Sequence, residues 1–165
     1  MVLHQPKKIL FNANYQGTTE AAKELQLSVK EPVSLRNMTI EEKIKAAETR
    51  IFKAVFPNTT NHYDTLFGGT AMMMMDEVAF IAATRFSRQI MVTVSSDRID
   101  FTKPIPAGTF VELVARVVHV GNTSMKVRVD IFKEQMYSDD REKAVTGEFS
   151  FVAIDENKKP VPVIR

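Results

Sequence analysis

The sequence predicts an α+β domain in which a curved antiparallel sheet wraps around one long central helix. Two observations carry the prediction. First, the stretch from about Thr70 to Phe86 has almost no polar face. Ala71, Met72, Met73, Met74, Met75, Val78, Ala79, Phe80, Ile81, Ala82 and Ala83 dominate it, and Asp76 and Glu77 are its only acidic residues. A helix that is apolar all round is expected to be buried all round. Second, everything after that helix reads as strands joined by short turns, which favours antiparallel neighbours. A lone helix with no polar face needs a sheet wrapped around it.

The elements follow in order. Residues 1–48 mix Asn, Gln, Thr, Lys and Glu and are broken at Glu31-Pro32. Two short helices are expected there. One runs from Thr19 to Leu27. The other starts at a capping box, Thr39-Ile40-Glu41-Glu42, and ends near Glu48. This segment reads as an appendage packed on the domain or on a partner, with the domain proper at 49–165. Ile51, Ala54, Val55 and Phe56 suggest a short strand stopped by Pro57-Asn58. A polar loop and Leu66-Phe67-Gly68-Gly69 lead into the long helix. Met91–Phe101 is β-branched and strand-like. Pro104 and Pro106-Ala107-Gly108 make a turn, and Phe110–Val120 is the next strand, closed by Gly121-Asn122. Met125, Val127, Val129 and Ile131 alternate with Lys126, Arg128 and Asp130, so one face of that strand is buried. Lys133–Lys143 is expected to be a charged loop, and Ala144–Ala153 the last long strand.

Composition narrows the function. The chain has 165 residues and a formal net charge of +2. That suits a single domain with a real core and gives no field aimed at nucleic acid or an anionic membrane. There is no cysteine, which excludes disulfides, thiolate metal sites and a cysteine nucleophile and points to a reducing compartment, the cytoplasm. The apolar stretches Ala71–Met75 and Val78–Ala83 are far too short to span a bilayer. His4, His62 and His119 show no metal-ligand spacing, so neither a metal nor another cofactor is expected.

A resemblance becomes specific at Pro57-Asn58-Thr59-Thr60-Asn61-His62-Tyr63-Asp64-Thr65-Leu66-Phe67-Gly68-Gly69, followed by Met75-Asp76-Glu77. It continues through Val92-Thr93-Val94, Asp100-Phe101 and Val120-Gly121-Asn122-Thr123-Ser124. The chain resembles the acyl-CoA thioesterases of the hotdog fold, the family of brain-type acyl-CoA hydrolase and its short bacterial relatives, over about residues 50–160. The resemblance implies hydrolysis of acyl-CoA to fatty acid and CoA, a homodimer often assembled as a trimer of dimers, catalytic roles for Asn61 and Asp76, and no cofactor. One position departs from the pattern. Where the family has Gly three residues after the Asn, this chain has Asp64, at a place that suggests positive φ.

The residues themselves make chemical sense of this. Gly68-Gly69 precedes the long helix, whose N-terminal N–H groups are unpaired and carry partial positive charge. With no side chain in the way they are candidates for an oxyanion hole. Asp76 lies among apolar neighbours that disfavour its ionisation and raise its basicity. The resemblance makes it general base or nucleophile. Glu77 is rotated about 100° from it and is assigned a structural role. Asn61 can orient the water or the thioester, although a turn-forming Asn is an equally ordinary reading. His62 matches no catalytic position and reads as a loop residue. Asp76 lies seven residues after Gly69, about 10 Å along a helix axis, so the two cannot serve one carbonyl within one chain. Two helices related by a two-fold axis would bring Asp76 of one copy to Gly69 of the other.

For CoA, backbone groups at Thr93, Val94 and Ser95 are candidates for the pantetheine amides. Arg85, Arg88, Lys103 and the Asn122-Thr123-Ser124 turn are candidates for the phosphates. Two other readings compete. A ligand-responsive DNA-binding regulator is suggested by Thr19–Ser28, which resembles the opening of a helix-turn-helix, but Pro32 interrupts the second helix and no basic recognition helix follows. A dehydratase would need a His on the central helix, and none is there.

Overall fold

The computed structural model describes residues 38–164; the helix expected at Thr19–Leu27 and the regulator reading built on it lie outside them. Helix α1 spans Ile40–Ala47 and opens with the expected capping box. The Glu42 amide donates to Thr39 Oγ1 at 3.2 Å, and Glu42 Oε2 accepts from the Thr39 amide at 2.8 Å. It packs against the long helix and the third strand defined below.

Strand β1 (Thr49–Ala54) follows, then a single 3-10 turn at Pro57–Thr59, where proline ends the strand. Helix α2 spans Gly68–Ser87. Four long strands complete the fold, β2 (Ile90–Phe101), β3 (Thr109–Val120), β4 (Ser124–Gln135) and β5 (Arg141–Ile154). They form one antiparallel sheet in the order β1-β3-β4-β5-β2. α2 touches every strand of it, which is the hotdog arrangement. The core is the interface between them, with Met75, Val78, Ala79 and Ala82 of α2 facing Val111, Leu113, Val127, Val129, Phe149 and Phe151, all buried.

Two expectations are corrected. The segment 133–143 is not a charged loop. β4 continues to Gln135 and β5 begins at Arg141, because the charges pair across the strands. Lys133 Nζ lies 2.9 Å from Glu142 Oε1, and Arg141 Nε lies 3.1 Å from Glu134 Oε1. Opposite charges on facing positions support a ladder instead of breaking it.

Helix α2 is also not buried all round within one chain. Met74 and Met75 are core, but Met72, Met73 (61% exposed) and Phe80 stand in the open, with Asp76 half-buried among them. Val94, on the neighbouring edge strand β2, is exposed as well. The sequence pattern recorded that α2 has no polar face. It could not record that one apolar stripe lies beyond the reach of its own sheet.

Candidate active site

A cavity of about 290 Å³ opens where the N-terminus of α2 meets the end of β2. Asn61, Thr65, Leu66, Gly68, Ala71, Phe101, Lys103 and Val145 are among its lining residues. Local sequence explains each wall. The loop 57–67 closes on itself through bridges from Thr60 to Leu66 and from Thr65 to Pro106, pinning Asn61 and Thr65 beside the helix end. Asp64 turns the loop with φ 55°, the left-handed conformation inferred at this position. Its amide donates to Asn61 O at 3.0 Å, and its carbonyl accepts from the Ala107 amide at 2.9 Å.

Asn61 forms the turn, as one of its two readings holds. Its Oδ1 accepts from the amides of Tyr63 (2.9 Å) and Thr65 (3.3 Å) and from Thr65 Oγ1 (3.1 Å). The side-chain oxygen therefore builds the turn. Nδ2 donates to nothing among the described residues, and Asn61 is one of the residues that line the cavity. Its acceptor is consumed by the turn and its donor is uncommitted among the described residues.

Helix α2 begins two residues earlier than expected, at Gly68, after Phe67, whose side chain makes no capping bond. Ala71 is the first amide to bond back, to Phe67 O at 3.0 Å. The N–H groups of Gly68, Gly69 and Thr70 are left pointing from the helix end. A side chain at Gly69 would require the Phe67 ring to move. A Cβ there would lie 2.8 Å from Cε1 of the Phe67 ring.

Among the described residues no carboxylate and no histidine lines the cavity. Asp76 lies two turns further along α2, and Thr93 Oγ1 donates to its Oδ1 at 2.9 Å. Sequence reasoning placed Thr93 on a backbone rail for the substrate and missed this contact. The only signal was a hydroxyl-bearing residue on the strand after the helix, which many strands carry. Glu77 is ion-paired to Lys53 at 3.2 Å, in line with a structural role, and His62 stacks on Tyr63 with ring centroids 3.9 Å apart on the loop surface.

The CoA candidates divide. Lys103 lines the cavity. Val94 and Ser95 lie exposed on β2 at an irregularity in its pairing with β5. The Asn122-Thr123-Ser124 turn sits at the far end of the sheet, against Val152 and Val163, so no single chain joins it to the cavity. Arg85 is engaged elsewhere. Its guanidinium donates to Ala46 O (2.7 Å), Glu48 O (2.8 Å) and Thr49 Oγ1 (3.0 Å). Through Nη1 and Nη2 it caps the C-terminal carbonyls of α1.

A small cavity of mixed polar and apolar lining at an uncapped helix N-terminus, with a carboxylate held apart on the same helix and all in a hotdog fold, fits the thioester-hydrolysing class. Residues 63–138 match the family model of the thioesterase superfamily. Over 120 residues the chain is 45% identical to YkhA of Bacillus subtilis, named as an uncharacterized acyl-CoA thioester hydrolase. The match covers 72% of this chain and 70% of that protein. An acyl-CoA hydrolase from Staphylococcus aureus, solved in complex with butyryl-CoA, CoA and CoA disulfide, superposes with a TM-score of 0.69 at 36% identity, covering 74% of this chain and 76% of that one. A structure of an apo hexameric acyl-CoA thioesterase superposes with a TM-score of 0.71 at 33% identity over 73% of this chain and 78% of that one. The chain belongs to the acyl-CoA thioester hydrolase family of the thioesterase superfamily. The S. aureus hydrolase has also been solved with alanine at an asparagine, at an aspartate fifteen residues on, and at a threonine seventeen beyond that. Asn61, Asp76 and Thr93 stand at the same intervals here.

Proposed function

We propose that the chain hydrolyses acyl-CoA thioesters to free fatty acid and CoA, at two equivalent sites formed between two copies. The observation that carries this reading is a separation. The cavity offers hydrogen-bond donors, Asn61 Nδ2 and the Gly68–Gly69 amides, and no base. The acid of the same helix, Asp76, is held by Thr93 about 10 Å away along the axis. A second copy, with its helix antiparallel across a two-fold axis, supplies Asp76 where the first copy supplies the donors. The exposed flank of Met72, Met73 and Phe80 around Asp76, and the unpaired edge of β2 beside it, suit such a contact.

In this arrangement Asp76 takes a proton from water as the water oxygen attacks the thioester carbon. The oxyanion is held by Asn61 Nδ2 and the helix-end amides. Collapse breaks the carbon–sulfur bond and expels the CoA thiolate, since a thiolate is a far better leaving group than an alkoxide and needs no general acid. Thr93, which bonds one carboxylate oxygen, leaves the other for the water. Lys103 meets the phosphates, and β2 with the Asn122–Ser124 turn of the partner completes the CoA path. Residues 49–165 are the catalytic unit and 1–48 an appendage. Pairs assemble further as a trimer of dimers. Among the described residues no helix is long and apolar enough to cross a membrane. The cysteine-free composition favours the cytoplasm.

The test is release of free thiol from acyl-CoAs of graded chain length. Activity is expected for the wild type and its loss for Asp76→Ala and Asn61→Ala. No thiol release by the wild type, or full activity of Asp76→Ala, overturns the proposal.

A further inference from the structure

The rim of the cavity carries a charge arrangement that donor chemistry alone does not require. Lys103, just past the end of β2, is fixed there by its own amide and by Thr102, both bonded to Ala144 O. Its ammonium lies 2.8 Å from Glu142 Oε2. The other oxygen of Glu142, Oε1, lies 2.9 Å from Lys133 Nζ, and Lys133 also donates to Pro104 O at 3.2 Å. Lys133 is largely buried, whereas Lys103 and Glu142 are about half exposed. Glu142 is therefore anchored from below and offers its outer oxygen to the one cation that lines the cavity. The two lysines hold its carboxyl below the usual carboxylate range, Lys103 contributing most and Lys133 next.

The geometry points to Glu142 as a specificity-determining residue that occupies the phosphate-binding face of Lys103 and weakens the hold on the CoA moiety. This rests on the proposed acyl-CoA activity. An arriving phosphate must displace Glu142 from Lys103, and the carboxylate it displaces stays close by because Lys133 retains it. The triad carries a formal charge of +1 at the cavity mouth, and would carry +2 without Glu142. The arrangement favours product release over tight capture, since CoA leaves with the same phosphates it brought. It does not touch the acyl group or the reacting carbon, so its effect belongs to KM and not to the chemical step.

The experiment compares two thioesters with the same acyl group, acyl-CoA and acyl-N-acetylcysteamine, which lacks every phosphate. Glu142→Gln is expected to lower KM for acyl-CoA by about two- to fivefold, the scale of one exposed ion pair, and to slow product dissociation. kcat for the chemical step and KM for the short thioester should not move. Lys103→Gln is expected to raise KM for acyl-CoA, and Lys103→Gln/Glu142→Gln to match Lys103→Gln alone, because Glu142 acts through that lysine. Thermal melting of each variant verifies that the fold is retained. If the wild type cleaves both thioesters and Glu142→Gln leaves KM for acyl-CoA unchanged or raises it, the role of Glu142 is refuted and the hydrolase reading survives. An equal change in KM for both substrates refutes it too. Failure of the wild type to cleave either thioester removes the hydrolase reading and this inference together.

Discussion

At Asn61 two requirements that usually compete are met by opposite ends of one amide. The oxygen is locked into the turn by three donors, which orients the nitrogen without further support. Asn61→Asp separates the two roles. A carboxylate still accepts from the Tyr63 and Thr65 amides, so the loop survives, but the donor is gone. We expect near-wild-type melting and a loss in kcat of about 10²–10³, the usual cost of one oxyanion donor, measured by thiol release. Asp76→Asn is expected to lose about 10²–10⁴ in kcat, the range for a positioned base. In isotope-labelled water, a single turnover should place the label in the released acid and none in Asp76. At Asp64 the left-handed backbone predicts an order of stability by thermal melting. Asp64→Gly should stay within about 0.5 kcal/mol of wild type, and Asp64→Ala should lose about 1 kcal/mol, since alanine pays the steric cost without the local hydrogen bonding that eases aspartate into this region. That conformation was legible in the sequence because a glycine is expected there. The Thr93–Asp76 contact was not, because nothing in a linear pattern says which strand side chain faces which turn of a helix.

The strands and helices were more legible than their connections. Alternation along Met125–Ile131 and the apolar run in α2 report directly on burial. The β4–β5 turn was misjudged because charged residues were taken as a sign of a loop, whereas here they form ion pairs on the solvent face of a ladder. The partners of Arg85 were equally illegible. An arginine near a helix end looks unattached until the carbonyls of α1 are found within its span. Arg85→Ala is expected to lower unfolding free energy by about 1–2 kcal/mol, reflecting three lost hydrogen bonds at a partly solvated site. Denaturant titration measures it. Arg85→Lys should not recover the loss, since one ammonium cannot span three acceptors.

The outer face of the sheet makes a further prediction. Glu112, buried on β3, receives Arg50 from β1 and Arg141 from β5, and Arg141 lies 3.7 Å over the Phe132 ring on its way. Burial alone would raise the Glu112 carboxyl. The two guanidinium groups outweigh it, Arg141 ahead of Arg50, and bring it below its ordinary value. Its folded-state pKa is therefore below the unfolded one. The contribution to stability is complete above about pH 4.3 and is lost as pH falls through the lower, folded value. Acid melting curves of Glu112→Gln should accordingly fall less steeply below that pH than those of the wild type.

For the assembled molecule, the offset between the donors and Asp76 has a testable corollary. On the proposed shared site, Asn61→Ala and Asp76→Ala subunits are each expected to be inactive as homodimers. In a mixed pair, one site holds both lesions and the other holds neither. Random reassortment of equal amounts should restore about a quarter of wild-type activity, since half the pairs are mixed and each has one intact site. No recovery after verified subunit exchange would place Asp76 and Asn61 of one site on the same chain.

The exposed flank of α2 also sets a rule about abundance. A solitary folded subunit would show water its greasiest side and would hold its base out of range of its own donors. Catalysis and the sheltering of Met73 and Phe80 are then switched on by one encounter. Turnover per chain should decline on dilution, and recover on reconcentration with second-order kinetics. The amount of protein made then decides more than how much work is done. It decides whether any chain is competent at all.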